Sequence, residues 1–142
     1  RDVYSGHLKL DGEEDEMTCI AANNYADSLL NLERFEEAKS LLRKKILVAR
    51  RVVGEISETT LKMRWIYAEA LVQDDGASLD DLREAVTTLE DIERTARRVL
   101  GGAHPTTGGV GRDLRTSRAA LAAREAVESI RESVEAMTPG DA

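Results

Sequence analysis

The chain has 142 residues, one domain's worth, with 33% charged residues, only 4% aromatic ones and a formal net charge of −7. That balance suits exposed helices better than a β-sandwich rich in aromatic and β-branched residues, the net charge argues mildly against a nucleic-acid partner, and no run of 18 apolar residues occurs to enter a membrane. The single cysteine, Cys19, excludes an internal disulfide framework and fits a reducing, cytoplasmic compartment.

Residues 1–11 read as a linker or the remnant of a preceding repeat, and an opening at Arg1 suits a piece of a longer chain. DGEEDE at 11–16 suits a solvated loop and the positive end of a helix; it lacks the ligand spacing of a calcium loop, so no metal is expected. The first helix carries Ala22, Tyr25, Ala26 and Leu29 at i, i+3, i+4, i+7 spacing. A short polar link near Glu33 and Arg34 then forces an antiparallel partner, with Ala38, Leu41, Leu42, Ile46, Ala49 and Val53 on its apolar side. The third helix repeats the stripe with Tyr67, Ala68 and Leu71, and the fourth with Leu82, Ala85, Leu89, Ile92, Ala96 and Val99. Residues 108–142 read as a C-terminal capping helix and short tail. There the expected small apolar positions fall at Arg115 and Arg118, while Val127, Ile130, Val134 and Met137 form a stripe that packs back on the last pair or extends outward.

The sequence repeats. Gly12, Gly54 and Gly101 are each followed six residues on by Thr18, Thr60 and Thr107, at spacings of 42 and then 47. Ala26 matches Ala68 at an offset of 42; Ala38 matches Ala85 and Leu42 matches Leu89 at 47. The change of offset places a five-residue insertion in the loop QDDGASLDD, 73–81. Each glycine suits the left-handed residue after a helix, and Asp15, Ser57 or His104, three residues on, suits an N-cap. Pro105 then fits the first helical position. His104 is therefore a turn residue, and GGAHPTTGGVG lacks the Lys-Ser/Thr ending of a phosphate loop.

These residues resemble the tetratricopeptide repeat, in the long form found in kinesin light chains. Asn23, Asn24, Ala26, Phe35, Glu37, Ala38, Gly54 and Thr60 fall on its pattern in repeat 1 (about 12–54), and LGGAHPTT ends repeat 2 (about 54–101). The resemblance covers residues 12–107. It implies an all-α fold, an α-solenoid of antiparallel helix pairs, with a concave groove lined by the first helix of each pair. Carried over position by position, the groove set is Ile20, Asn23, Asn24, Asp27, Leu30 and Asn31 in repeat 1. In repeat 2 it is Lys62, Trp65, Ile66, Glu69, Val72 and Gln73. Asparagine amides suit a peptide backbone. Trp65 suits either a groove anchor or a filler against the capping helix.

With one cation, Lys62, against Asp27 and Glu69, the groove is expected to take a neutral or mixed-charge peptide of a protein partner, not a C-terminal carboxylate. Lys39, Arg43, Lys44, Lys45, Arg50 and Arg51 form one positive patch, expected on a solvated outer face with partners such as Glu36, the alternative being a docking surface for an acidic partner protein. No nucleophile, base or paired-carboxylate grouping recurs, so neither catalysis nor a cofactor is expected. The rival role is structural: assembly through self-association of the capping helix.

Overall fold

In the computed structural model five α-helices run through the described residues, 16–138. They are α1 (Glu16–Asn31), α2 (Phe35–Val52), α3 (Glu58–Gln73), α4 (Leu79–Val99) and α5 (Pro105–Met137), and no strand occurs among the described residues. The expectations for residues 1–11, Gly12 and Asp15 lie outside them.

The helix ends follow from the residues at them. Gly54 (φ 102°) and Gly101 (φ 96°) take the left-handed backbone expected after a helix. Val53 and Gly54 both donate their N–H to the Ala49 carbonyl, at 2.9 and 3.1 Å, and Leu100 and Gly101 do the same to Ala96. Ser57 Oγ accepts the Thr59 N–H at 3.2 Å, and His104 Nδ1 accepts that of Thr106 at 3.1 Å, with Pro105 opening α5. The α1–α2 link has no glycine; Glu33 (φ 58°) makes the left-handed turn instead.

The six-residue step from glycine to threonine also has a cause. Thr60 Oγ1 donates to the Gly54 carbonyl at 2.7 Å, tying the turn to the first turn of α3. Thr107 occupies the same place after Gly101, but its Oγ1 is buried with no hydrogen-bond partner. Thr60→Val should therefore cost about 1 kcal/mol, whereas Thr107→Val should cost nothing or stabilise, because it removes an unpaired hydroxyl. Urea midpoints of the two variants check the contrast.

The five-residue insertion is divided rather than confined to the loop. α1 and α3 are both 16 residues long. α4 has 21 residues against 18 in α2, and its three extra residues sit at the N-terminus. The loop 74–78 is then two residues longer than the link 32–34. Ser78 makes the added turn possible: its Oγ accepts the Asp81 N–H at 3.0 Å while Asp81 Oδ2 accepts the Ser78 N–H at 2.9 Å.

Each helix packs on its chain neighbours, and α3 also touches α1 and α5. The core forms two clusters that share α3. Met63, Ile66 and Ala70 face Ala22, Ala26, Leu42 and Ile46; Leu61, Ala68 and Leu71 face Leu89, Ile92, Val110 and Leu114. The matched alanines Ala26, Ala68, Ala38 and Ala85 are all fully buried, where a small side chain lets helices approach closely.

α5 repeats one face of α3 and lacks the other. At the 47-residue offset Met63, Tyr67 and Ala70 become Val110, Leu114 and Ser117, all buried. Leu61, Ala68 and Leu71 become Gly108, Arg115 and Arg118; both arginines are exposed, and Arg118 pairs with Glu90 at 2.8 Å. Beyond Glu125, which pairs with Arg83, the helix leaves the body, so Val127, Ile130, Val134 and Met137 take the outward of the two courses expected.

The basic side chains of α2 are not all on a solvated face. Lys39 and Lys45 are buried. Lys39 Nζ sits between Glu36 (2.8 Å) and Asp74 (3.7 Å), because the α3–α4 loop folds over it. Burial works to lower its pKa, but the Glu36 and Asp74 carboxylates outweigh that and raise it.

Candidate functional site

α1, α3 and α5 contribute to one face, since α3 touches both of the others. Of the residues expected to line it, Asn24, Asp27, Asn31, Lys62 and Gln73 are exposed, and Asn23, Trp65, Glu69 and Val72 are half-buried. Leu30 and Ile66 are corrected: both are buried in the first core cluster, because they lie in the seam where α1, α2 and α3 close on one another. Neither offers surface to a partner.

Two cavities open along this face. The first, about 230 Å³, lies between α1 and the start of α3 and is lined by Ile20, Asn23, Asn24, Glu58, Thr59 and Lys62. Asn23 Oδ1 is buried there with no hydrogen-bond partner. At the same end Lys62 Nζ pairs with Glu58 Oε2 at 3.3 Å, and Thr106 Oγ1 donates to that oxygen at 3.1 Å. Burial pushes the Glu58 carboxyl up, but the bonds from Thr106 and Lys62 prevail and hold it below its ordinary value. Glu58 thereby joins the starts of α3 and α5 and pairs with the one cation of the expected groove set.

The second cavity, about 110 Å³, lies between α3 and α5 and includes Glu69, Val72, Gln73, Asp113 and Thr116. Burial pushes the Glu69 carboxyl up to about 7, and the nearby Asp113 and Asp27 carboxylates push the same way. Trp65 stands beside it as a filler between α3 and α5. Its Nε1 donates to Asp113 Oδ2 at 2.7 Å, and a Cβ on Gly109 would meet Trp65 Cη2 at 2.5 Å. The missing side chain at 109 is what seats the indole.

With Lys62 paired to Glu58, Asp27 and Asp113 leave the face acidic, and Glu69 adds its full charge only above about pH 7. Among the described residues no group of three or more His, Cys, Asp or Glu is placed to hold a metal, and no helix is long and apolar enough to cross a membrane. Asp113 and Gly109 escaped the sequence reading because the repeat pattern fades after residue 107. The signal that finds them is the offset of 47, which places Asp113 on Ile66 and Gly109 on Lys62.

On the other side, Arg43, Leu47, Arg50, Arg64 and Tyr67 line a cavity of about 260 Å³ between α2, α3 and α4. Its cations are largely matched internally. Arg50 pairs with Glu55 at 2.7 Å, Arg64 with Asp91 at 2.8 Å, and Arg43 lies over the Tyr67 ring at 5.8 Å. Compared with protein families, with curated proteins and with solved structures, the chain matches none of them.

Proposed function

We propose that the chain is a non-catalytic protein-interaction module: about two tetratricopeptide-like antiparallel helix pairs, stacked as an α-solenoid and capped by α5. It holds an extended peptide of a protein partner along the α1–α3–α5 face. The repeat offset, the equal lengths of α1 and α3 and the matched buried alanines support the stacking.

The observation that carries the binding reading is the buried, unpaired Asn23 Oδ1 beside the first cavity. A buried acceptor without a donor costs free energy, and a peptide N–H entering the cavity removes that cost. Exposed Asn24 and Gln73 offer further amides along the path. Asp27, Glu69 and Asp113 select against a terminal carboxylate and favour a neutral or mixed-charge peptide.

The test is selection of peptides from a displayed random library on the whole chain, followed by calorimetry on the winners. Asn23→Ala should weaken them about tenfold, roughly 1.4 kcal/mol, without lowering thermal stability. Winners indifferent to both Asn23→Ala and Asn24→Ala, or winners that need a free carboxylate and Lys62, would overturn the reading.

A further inference from the structure

α5 carries two apolar stripes on different sides. The first, Val110, Leu114, Ser117 and Leu121, packs on the body. Arg124 continues that side by donating from Nη2 to the Ala77 carbonyl at 3.0 Å, and Glu125 pairs with Arg83 at 3.3 Å. The second stripe, Val127, Ile130, Val134 and Met137, is 53%, 64%, 58% and 81% exposed. At 3.6 residues per turn the two stripes lie about 140° apart around the axis. Covering the second with the helical body would require α5 to undock from it.

The spacing points to what covers it. Ala120, Ala123, Val127, Ile130, Val134 and Met137 advance by alternating steps of three and four, a heptad seam about 27 Å long. Ala120, Val127 and Val134 take the a positions; Ala123, Ile130 and Met137 take d. The valines at a suit two strands, and the flanking e and g residues set the orientation. Arg124 and Arg131 sit at e, while Ala119, Ala126 and Ser133 sit at g. In antiparallel order e faces e, which sets Arg124 against Arg131 of the second copy, twice. In parallel order both arginines meet alanine at g. Glu125, Glu128, Glu132 and Glu135 all fall at b and f, away from the seam.

We propose that this stripe is a self-association seam: two copies of the chain pair through α5, parallel and in register, over 120–137. The body lies on the far side of α5 and does not obstruct the approach. The seam is only about two and a half heptads long, so the pairing is weak and reverses on dilution. It does not depend on what the α1–α3–α5 face holds.

Sedimentation velocity of the whole chain tests the proposal. Monomer at about 1 μM should give way to dimer toward 1 mM. Ile130→Glu should stay monomeric throughout with unchanged helicity by circular dichroism, and Ser129→Glu, off the seam, should pair as the parent does. For orientation, Met137→Cys in a Cys19→Ala background should form a disulfide-linked homodimer under mild oxidation. Mixing it with Ala120→Cys should give no crossed product. A monomer at every concentration, or a dimer indifferent to Ile130→Glu, overturns the seam; a crossed 137–120 product overturns the parallel order.

Discussion

Gly109→Ala should destabilise the chain by about 1–3 kcal/mol, the usual range for forcing an extra carbon into a packed site. The direction is notable because alanine is intrinsically the better helix former by about 1 kcal/mol. Packing decides against it: the new Cβ would stand 2.5 Å from Trp65 Cη2 and 2.9 Å from Cζ2. The indole has little room to retreat, since its Nε1 is held by Asp113 on the same helix at 2.7 Å. Gly108 and Gly111, whose added carbons would meet only arginine ends at 3.7 and 3.8 Å, should accept alanine with no such loss. A double-mutant cycle isolates the contact. Trp65→Phe shortens the ring, so Gly109→Ala should cost at least about 1 kcal/mol less in that background. Urea midpoints for the four chains measure it; strict additivity would show that Trp65 and Gly109 are not packed as described.

Raising the pH from 5 to 8 should cost the parent chain stability that Glu69→Gln recovers. The Glu69 carboxyl is pushed from its ordinary 4.5 up to about 7, so across that interval the folded chain holds a proton that the unfolded chain has released. Stability from this group is therefore greatest below 4.5, falls as the pH rises to about 7, and stays low above it. Glu69 is partly open to solvent, which screens the effect to about 1–2 kcal/mol at pH 8. Glu69→Gln keeps the shape and removes the charge beside Asp27 and Asp113. Its advantage over the parent should grow through pH 5–8 and then level off. Denaturant midpoints at several pH values give the difference directly; an advantage independent of pH would remove the buried, like-charged setting from the account.

Much of the architecture was legible before any coordinates, because it rests on local chemistry. Gly54 and Gly101 mark helix ends since the left-handed backbone is open to glycine, and Ser57 and His104 follow at cap positions for equally local reasons. The periodic stripes located helix faces correctly from Ala22 to Ala96. What a helical period does not carry is how many neighbours a helix has. Ile66 looks like a free position beside the Tyr67–Ala68–Leu71 stripe, yet it is buried, because α3 is enclosed by α1 and α2 on one side and by α4 and α5 on the other. Leu30, on α1, is buried because α2 and α3 close over it in the first cluster. Lys39 read as a surface cation because its second carboxylate, Asp74, comes from a loop distant in sequence. Trp65 allowed two readings, and only the absence of a side chain at Gly109 on another helix shows how the indole is seated.

The sharing of α3 between the two clusters has a thermodynamic consequence. Stripping away α1 and α2 would expose Met63, Ile66 and Ala70 to water; stripping away α4 and α5 would expose Leu61, Ala68 and Leu71. Neither half retains a complete hydrophobic enclosure without the other, so the melting of one erases part of the other's free energy. The repeat in the text of the chain is thus not a repeat in its energetics. The five helices should therefore unfold as one cooperative unit, with α3 the common partition through which each half senses the loss of the other.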